Sequence, residues 1–282
     1  MEFTSFEKQV FNWIILAIGV VAVLCNCLLV RLARRLHHRT VEIRLAVVLA
    51  CIDISVTLLT ISGSLLNNWY GNDLNKLQQF CHIKGPVDFV LQYSSSLAVA
   101  VIAMVRFSKV RGTTIPVWVW IVLGVCAAAF AGLVLVTALR SEFYPSPSGV
   151  DCIPIGEISI FSSAVLFSLG LFMFLSLAIT LFCYLCILGY VRGTSSKVTG
   201  IRKHVLARVT GICVVYLLLV APSSVLIMMQ AIFKYEALNQ ISLATTFLVD
   251  INTVANACIT LFAHSLIFGQ LRLPSCRRMQ PN

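Results

Sequence analysis

Seven long apolar runs divide the chain: residues 11–33, 43–66, 81–107, 116–139, 157–191, 205–232 and 239–268. Each is about 20 residues or more and none alternates polar with apolar, so the pattern predicts membrane-spanning helices rather than barrel strands. The fifth run is too long to be all span, and its first residues are assigned to a loop. The third run carries a polar stripe. Cys81, Lys84, Asp88, Ser95 and Arg106 recur on steps of three and four, which is one helix face. From Cys81 to Arg106 a helix rises roughly 37 Å, enough to cross a bilayer. Charged side chains inside a span face protein or a water-filled cavity, so the third helix is predicted to lie at the centre of a bundle.

Composition agrees. Of 282 residues, 59% are hydrophobic and 11% charged, with mean hydropathy +0.93, against about 25% charged in a soluble domain. The whole chain, 1–282, reads as a single seven-helix membrane domain, all-α, with 269–282 as a short tail. No positively charged segment or small-residue cleavage site precedes the first run, which therefore reads as a retained anchor. The net charge of +10 does not point to nucleic acid, because sixteen of the 21 Lys and Arg flank the first, third and fifth loops or follow the last run. By the positive-inside rule the N-terminus is outside and the C-terminus inside, and the basic residues form an inner collar suited to anionic lipid. Pro274 is expected to end a brief amphipathic eighth helix.

On this topology eight of the eleven cysteines lie within spans and serve as small apolar residues. Cys81 and Cys152 are the pair exposed to the oxidising outer side, so a Cys81–Cys152 disulfide is expected. Cys276, beside Arg277 and Arg278 near the membrane, is a candidate for lipidation by palmitate, with a plain free thiol as the other reading.

Several marks in order resemble the rhodopsin-like G-protein-coupled receptors. They are Asn26 in the first helix, Asp53 closing Leu49-Ala50-x-x-Asp53 in the second, Cys81 followed 25 residues later by Arg106 in the third, Trp118 and Trp120 in the fourth, Tyr184 in the fifth, Pro222 in the sixth, and Asn252 and Asn256 in the seventh. Asn256 stands where that family's Asn-Pro-x-x-Tyr motif begins. Five positions depart from the pattern. Val105 replaces the acid before the inner arginine, Val220 the aromatic residue two before the sixth-helix proline, Ser176 the fifth-helix proline, and Ala257 and Thr260 the motif's proline and tyrosine.

The resemblance implies a multi-pass plasma-membrane receptor, not an enzyme, that senses a small ligand between its outer helix ends and signals through heterotrimeric G protein. Activation would swing the sixth helix about Pro222. Asp53, Ser95, Asn252 and Asn256 would converge at mid-membrane with Asn26, holding either a sodium ion or a structural hydrogen-bond network. Asp88 stands where receptors for amines carry the acid that pairs with ligand ammonium. Asp250 stands where opsins carry the retinal lysine, which excludes a Schiff base there. Three readings of this outer cluster compete: a Lys84–Asp88/Asp250 salt bridge between helices three and seven, an acidic pocket for a cationic ligand such as a diamine, or a neutral pocket sharing one proton. Ser168 and Tyr93 would add hydrogen bonds, whereas Ser223 and Ser224 after Pro222 leave no aromatic box for cation–π support. With Val105 apolar and Arg202 and Lys203 at the sixth-helix base, Arg106 lacks an acid at both sites where the family restrains it. That implies either raised basal signalling or a receptor-like protein that does not couple to G protein. Few hydroxyls in the third inner loop and tail (Thr194, Ser195, Ser196, Thr199 and Ser275) imply weak arrestin engagement. The competing class is a seven-helix transporter or channel, which needs a polar path through both faces. The apolar stretch Leu97–Met104 in the third helix speaks against one.

Overall fold

The computed structural model describes residues 5–36, 40–70, 74–145, 152–154, 159–193, 199–233 and 239–263. Seven α-helices lie in these segments: α1 Ser5–Arg34, α2 Val41–Tyr70, α3 Leu74–Arg111, α4 Val117–Leu139, α5 Ile160–Gly193, α6 Thr199–Phe233 and α7 Asn239–Ala263. Six are long and apolar enough to cross a membrane, and α7 adds the shorter apolar stretch Thr246–Leu261. The eighth helix, the tail and Cys276 fall outside the described residues, as do the side chains of Arg202 and Lys203.

α3 sits at the middle, packing against α2, α4 and α5, while α1 lies along α2 and α7, and α5 along α6. The face predicted to turn inward does so: Cys81, Lys84, Asp88 and Ser95 are all buried. α4 shows the opposite case. Its buried residues are Phe130, Val134 and Thr137, a single stripe on steps of four and three, and Val117, Trp118, Ile121 and Val125 are exposed on a surface suited to lipid. Several hydroxyls within the spans return to their own backbone: Thr57 donates to the Asp53 carbonyl, Ser94 to Val90 and Thr137 to Leu133, whereas the buried hydroxyls of Ser64, Tyr93 and Thr180 make no hydrogen bond among the described residues.

One element departs from the all-α expectation. Part of the loop predicted over 140–156 forms an antiparallel hairpin of β1, Phe143–Pro145, and β2, Cys152–Pro154. The turn into it uses Ser141 at φ 57°, with Ser141 and Glu142 backbone N–H groups donating to the Ala138 and Thr137 carbonyls at the end of α4. Two contacts seat the hairpin on α3. The expected Cys81–Cys152 disulfide is present, with the Cα atoms 5.1 Å apart. Phe143, fully buried, lies against Gly85, where a Cβ would collide with its ring, and packs edge-on to Phe89 with centroids 5.6 Å apart. A backbone pinned twice to α3 finds its hydrogen bonds in its own second strand. Behind β1, Glu142 accepts hydrogen bonds from Ser159 and from Ser162 at 2.6 Å and so ties the hairpin to the start of α5.

Candidate functional site

Below the hairpin is a cavity of about 60 Å³, lined by Asp88, Phe89 and Gln92 of α3, Leu166 and Leu169 of α5, Ile227 and Gln230 of α6, Thr246, Val249 and Asp250 of α7, Thr60 of α2, and Cys152 and Ile153 of β2. Asp88 and Asp250, the two acids picked out in the sequence, thus face one space. Lys84 lies one turn above Asp88 on α3, fully buried, with Nζ 2.6 Å from Asp88 Oδ2. A helical i,i+4 ion pair at that distance spends part of the Asp88 charge inside the protein. The cavity is far smaller than the roughly 300–1,000 Å³ of a site that encloses a drug-sized ligand, so side chains around it must part to admit one.

Two of the predicted ligand contacts lie elsewhere. Tyr93 is buried, but its ring stacks between Phe130 of α4 and Phe172 of α5, centroids 4.4 and 4.1 Å away. One residue past Gln92, it turns to the α4 side of α3. Ser168 on α5 is half-buried and lies outside the lining, which α5 provides through Leu166 and Leu169. Gln92 and Gln230 take the polar places instead. Sequence reasoning passed over both, since an uncharged amide in a span carries little signal until its rotation is known.

At mid-membrane the polar residues meet. Asp53 is fully buried and accepts hydrogen bonds from Ser95 Oγ at 2.7 Å to Oδ1 and from Asn256 Nδ2 at 3.0 Å to Oδ2. The Asn256 Oδ1 in turn accepts from the Tyr216 hydroxyl at 2.8 Å. The chain Ser95–Asp53–Asn256–Tyr216 therefore joins α3, α2, α7 and α6. Asn26 enters beside it rather than in it, donating to the Ala22 carbonyl at 3.0 Å and across to the Thr253 carbonyl of α7 at 3.3 Å. Asn252 makes no contact in the chain. It lines a cavity of about 20 Å³ with Asp53, Ser95, Ser223 and Thr253, and its buried Oδ1 has no hydrogen-bond partner. Gln92 and Val249 line both this cavity and the outer one. A third small cavity continues inward past Val220 to Thr180 and Tyr216. Tyr216 was not singled out in the sequence, because a tyrosine amid VVYLLLV reads as apolar core.

The inner end corrects one premise. Arg106 is not without an acid. Glu42, in the first turn of α2, places Oε2 3.6 Å from Arg106 Nε and Oε1 3.2 Å from Lys109 Nζ. Arg106 Nη1 also donates to the Tyr184 hydroxyl of α5 at 2.6 Å. Val105 indeed offers nothing, but the carboxylate comes from a helix the sequence did not place beside Arg106. Glu42 had a visible signal, an acid at the boundary of an otherwise basic inner face. The Glu42 and Arg106 side chains are 12% and 14% exposed, shielded enough for the pair to count.

Seven helices, a disulfide-tethered hairpin over the outer cavity, a polar chain at mid-membrane and an arginine at the inner end define a seven-helix membrane receptor. The sequence matches the 7 transmembrane receptor (rhodopsin family) over residues 22–260, and the chain belongs to that family. No curated protein matches it.

Proposed function

We propose that this protein is a plasma-membrane receptor. A small ligand bearing one positive charge enters the cavity between Asp88 and Asp250, and the response passes to heterotrimeric G protein at the inner face. The observation that carries the reading is that both acids line one cavity beneath the hairpin. The three charged side chains Lys84, Asp88 and Asp250 sum to one negative charge when ionised, which favours a monoamine over a diamine. Gln92 and Gln230 supply hydrogen bonds for the ligand's neutral end, and Phe89 is the aromatic residue of the lining that would meet the cation. The third cavity reaches Tyr216 and Thr180, and the Arg106–Tyr184 contact lies beyond it toward the inner end; the receptor reading is favoured over a pore by the match to the rhodopsin-family receptors.

Two further partners belong to the same reading. Sodium fits the Asp53 site: the Asp53 carboxylate, Ser95 Oγ and the unpartnered Asn252 Oδ1 are hard oxygens around a space the size of one ion or water, while Asn256 braces the carboxylate from behind. Anionic lipid suits the inner basic residues, of which Arg44, Lys109 and Arg111 are exposed.

The test is expression with second-messenger output and membrane current recorded in the same cells, during a screen of mono- and diamines. A response to a monoamine that Asp250→Asn abolishes at matched surface expression is expected. Ligand-gated current without second messenger would sink the receptor reading, and a hit series of anions would sink the ligand class.

A further inference from the structure

We infer that the Tyr216 hydroxyl is the latch that holds the sixth helix closed, a role that rests on the receptor reading above. Among the described side chains of α6, Tyr216 makes the hydrogen bond that crosses to another helix. The other hydroxyls of the Pro222 region return to their own helix, Ser223 to the Leu219 carbonyl at 2.7 Å and Ser224 to the Ala221 carbonyl at 2.9 Å. Among the described residues, the inner half of α6 is otherwise held by apolar packing of Val209, Ile212 and Val220 in the main core. Such contacts are non-directional and define the helix's position less sharply than a hydrogen bond does.

Placement makes the hydroxyl effective. Tyr216 lies six residues on the inner side of Pro222, roughly 9 Å along the helix, so it sits on the segment that swings if α6 bends at the proline. It is buried, and its acceptor is the Asn256 amide whose Nδ2 grips Asp53. Each bond in such a chain polarises the next. Releasing Tyr216 therefore weakens the Asn256 hold on Asp53, and a cation or water that draws Asp53 away from Asn256 loosens Tyr216. The latch joins the mid-membrane site to the moving helix without using Arg106, whose described partners are on α2 and α5. Phenylalanine would fill the same space and lack the tie.

The experiment compares wild type with Tyr216→Phe in cells and in nanodiscs. One buried hydrogen bond predicts basal second-messenger output about two- to tenfold above wild type at matched surface expression, and faster hydrogen exchange over the inner half of α6 with α1 unchanged. In the Asn256→Ala background the same substitution is expected to add nothing to either readout. Unchanged exchange and unchanged basal output, or output that falls, overturns the latch. Faster exchange in a protein that never signals, even with agonist, leaves the latch standing and removes the G-protein reading instead.

Discussion

Glu42 Oε2 lies 3.6 Å from Arg106 Nε and joins the base of α2 to the inner end of α3. A carboxylate shared between Arg106 and Lys109 gives the inner arginine a counter-charge that its own sequence neighbours withhold. Its two cations are unequal. Lys109 is 65% exposed and its contact is worth little in water, whereas Arg106 is shielded and also bonded to Tyr184.

Glu42→Gln is therefore expected to raise basal second-messenger output. A loss of about 1 kcal/mol shifts a two-state balance about fivefold. Lys109→Ala should leave basal output within error of wild type. Output that does not rise in Glu42→Gln, at equal surface density, would mean that this carboxylate does not restrain the arginine.

The Lys84–Asp88 pair should reveal itself through its single deletions. Lys84→Met leaves a carboxylate buried beside an apolar chain and is expected to destabilise the protein by about 3–5 kcal/mol, read as lost surface expression and a lower unfolding temperature in detergent. Lys84→Met combined with Asp88→Leu should recover much of that loss. A double variant no better than the single would mean that the two charges act separately.

Sodium binding at Asp53 is measurable without any agonist. Replacing potassium by sodium at ten times Kd should stabilise the purified wild type by about 1.4 kcal/mol. Asp53→Asn should remove that increment and Asn252→Ala reduce it. Equal melting in the two salts would leave Asp53, Ser95 and Asn256 as a hydrogen-bonded strut.

The hairpin's seat is tested at Gly85. Gly85→Ala puts a methyl group into the Phe143 ring, which costs about 1–3 kcal/mol where the neighbour cannot move. Displacement of the hairpin should also blunt ligand responses, because Cys152 and Ile153 line the outer cavity. Gly124→Ala on the open face of α4 is the matched control and should behave as wild type.

The seven helices were legible because hydropathy and length are local: about 20 apolar residues in lipid must form a helix whatever else the chain does. The polar stripe of α3 and the disulfide were legible for a related reason, and the meeting of Asp53, Ser95 and Asn256 was implied by the family resemblance. Charge in a span must turn inward, and the face expected to be oxidising offered two cysteines. What stayed hidden depends on how each helix is rotated about its axis and which neighbour it meets. Tyr93 and Gln92 are adjacent in the chain, yet one stacks on Phe130 and the other lines the cavity. Glu42 and Arg106 are 64 residues apart and meet because α2 packs along α3. Tyr216 finds Asn256 because α6 packs on α7. Apolar periodicity constrains rotation only weakly in helices that are hydrophobic on every face, and side-chain packing between helices supplies the rest. The bilayer thus set the elements from the chain alone, while the partners of Arg106, Asp53 and Lys84 were decided when the helices came together.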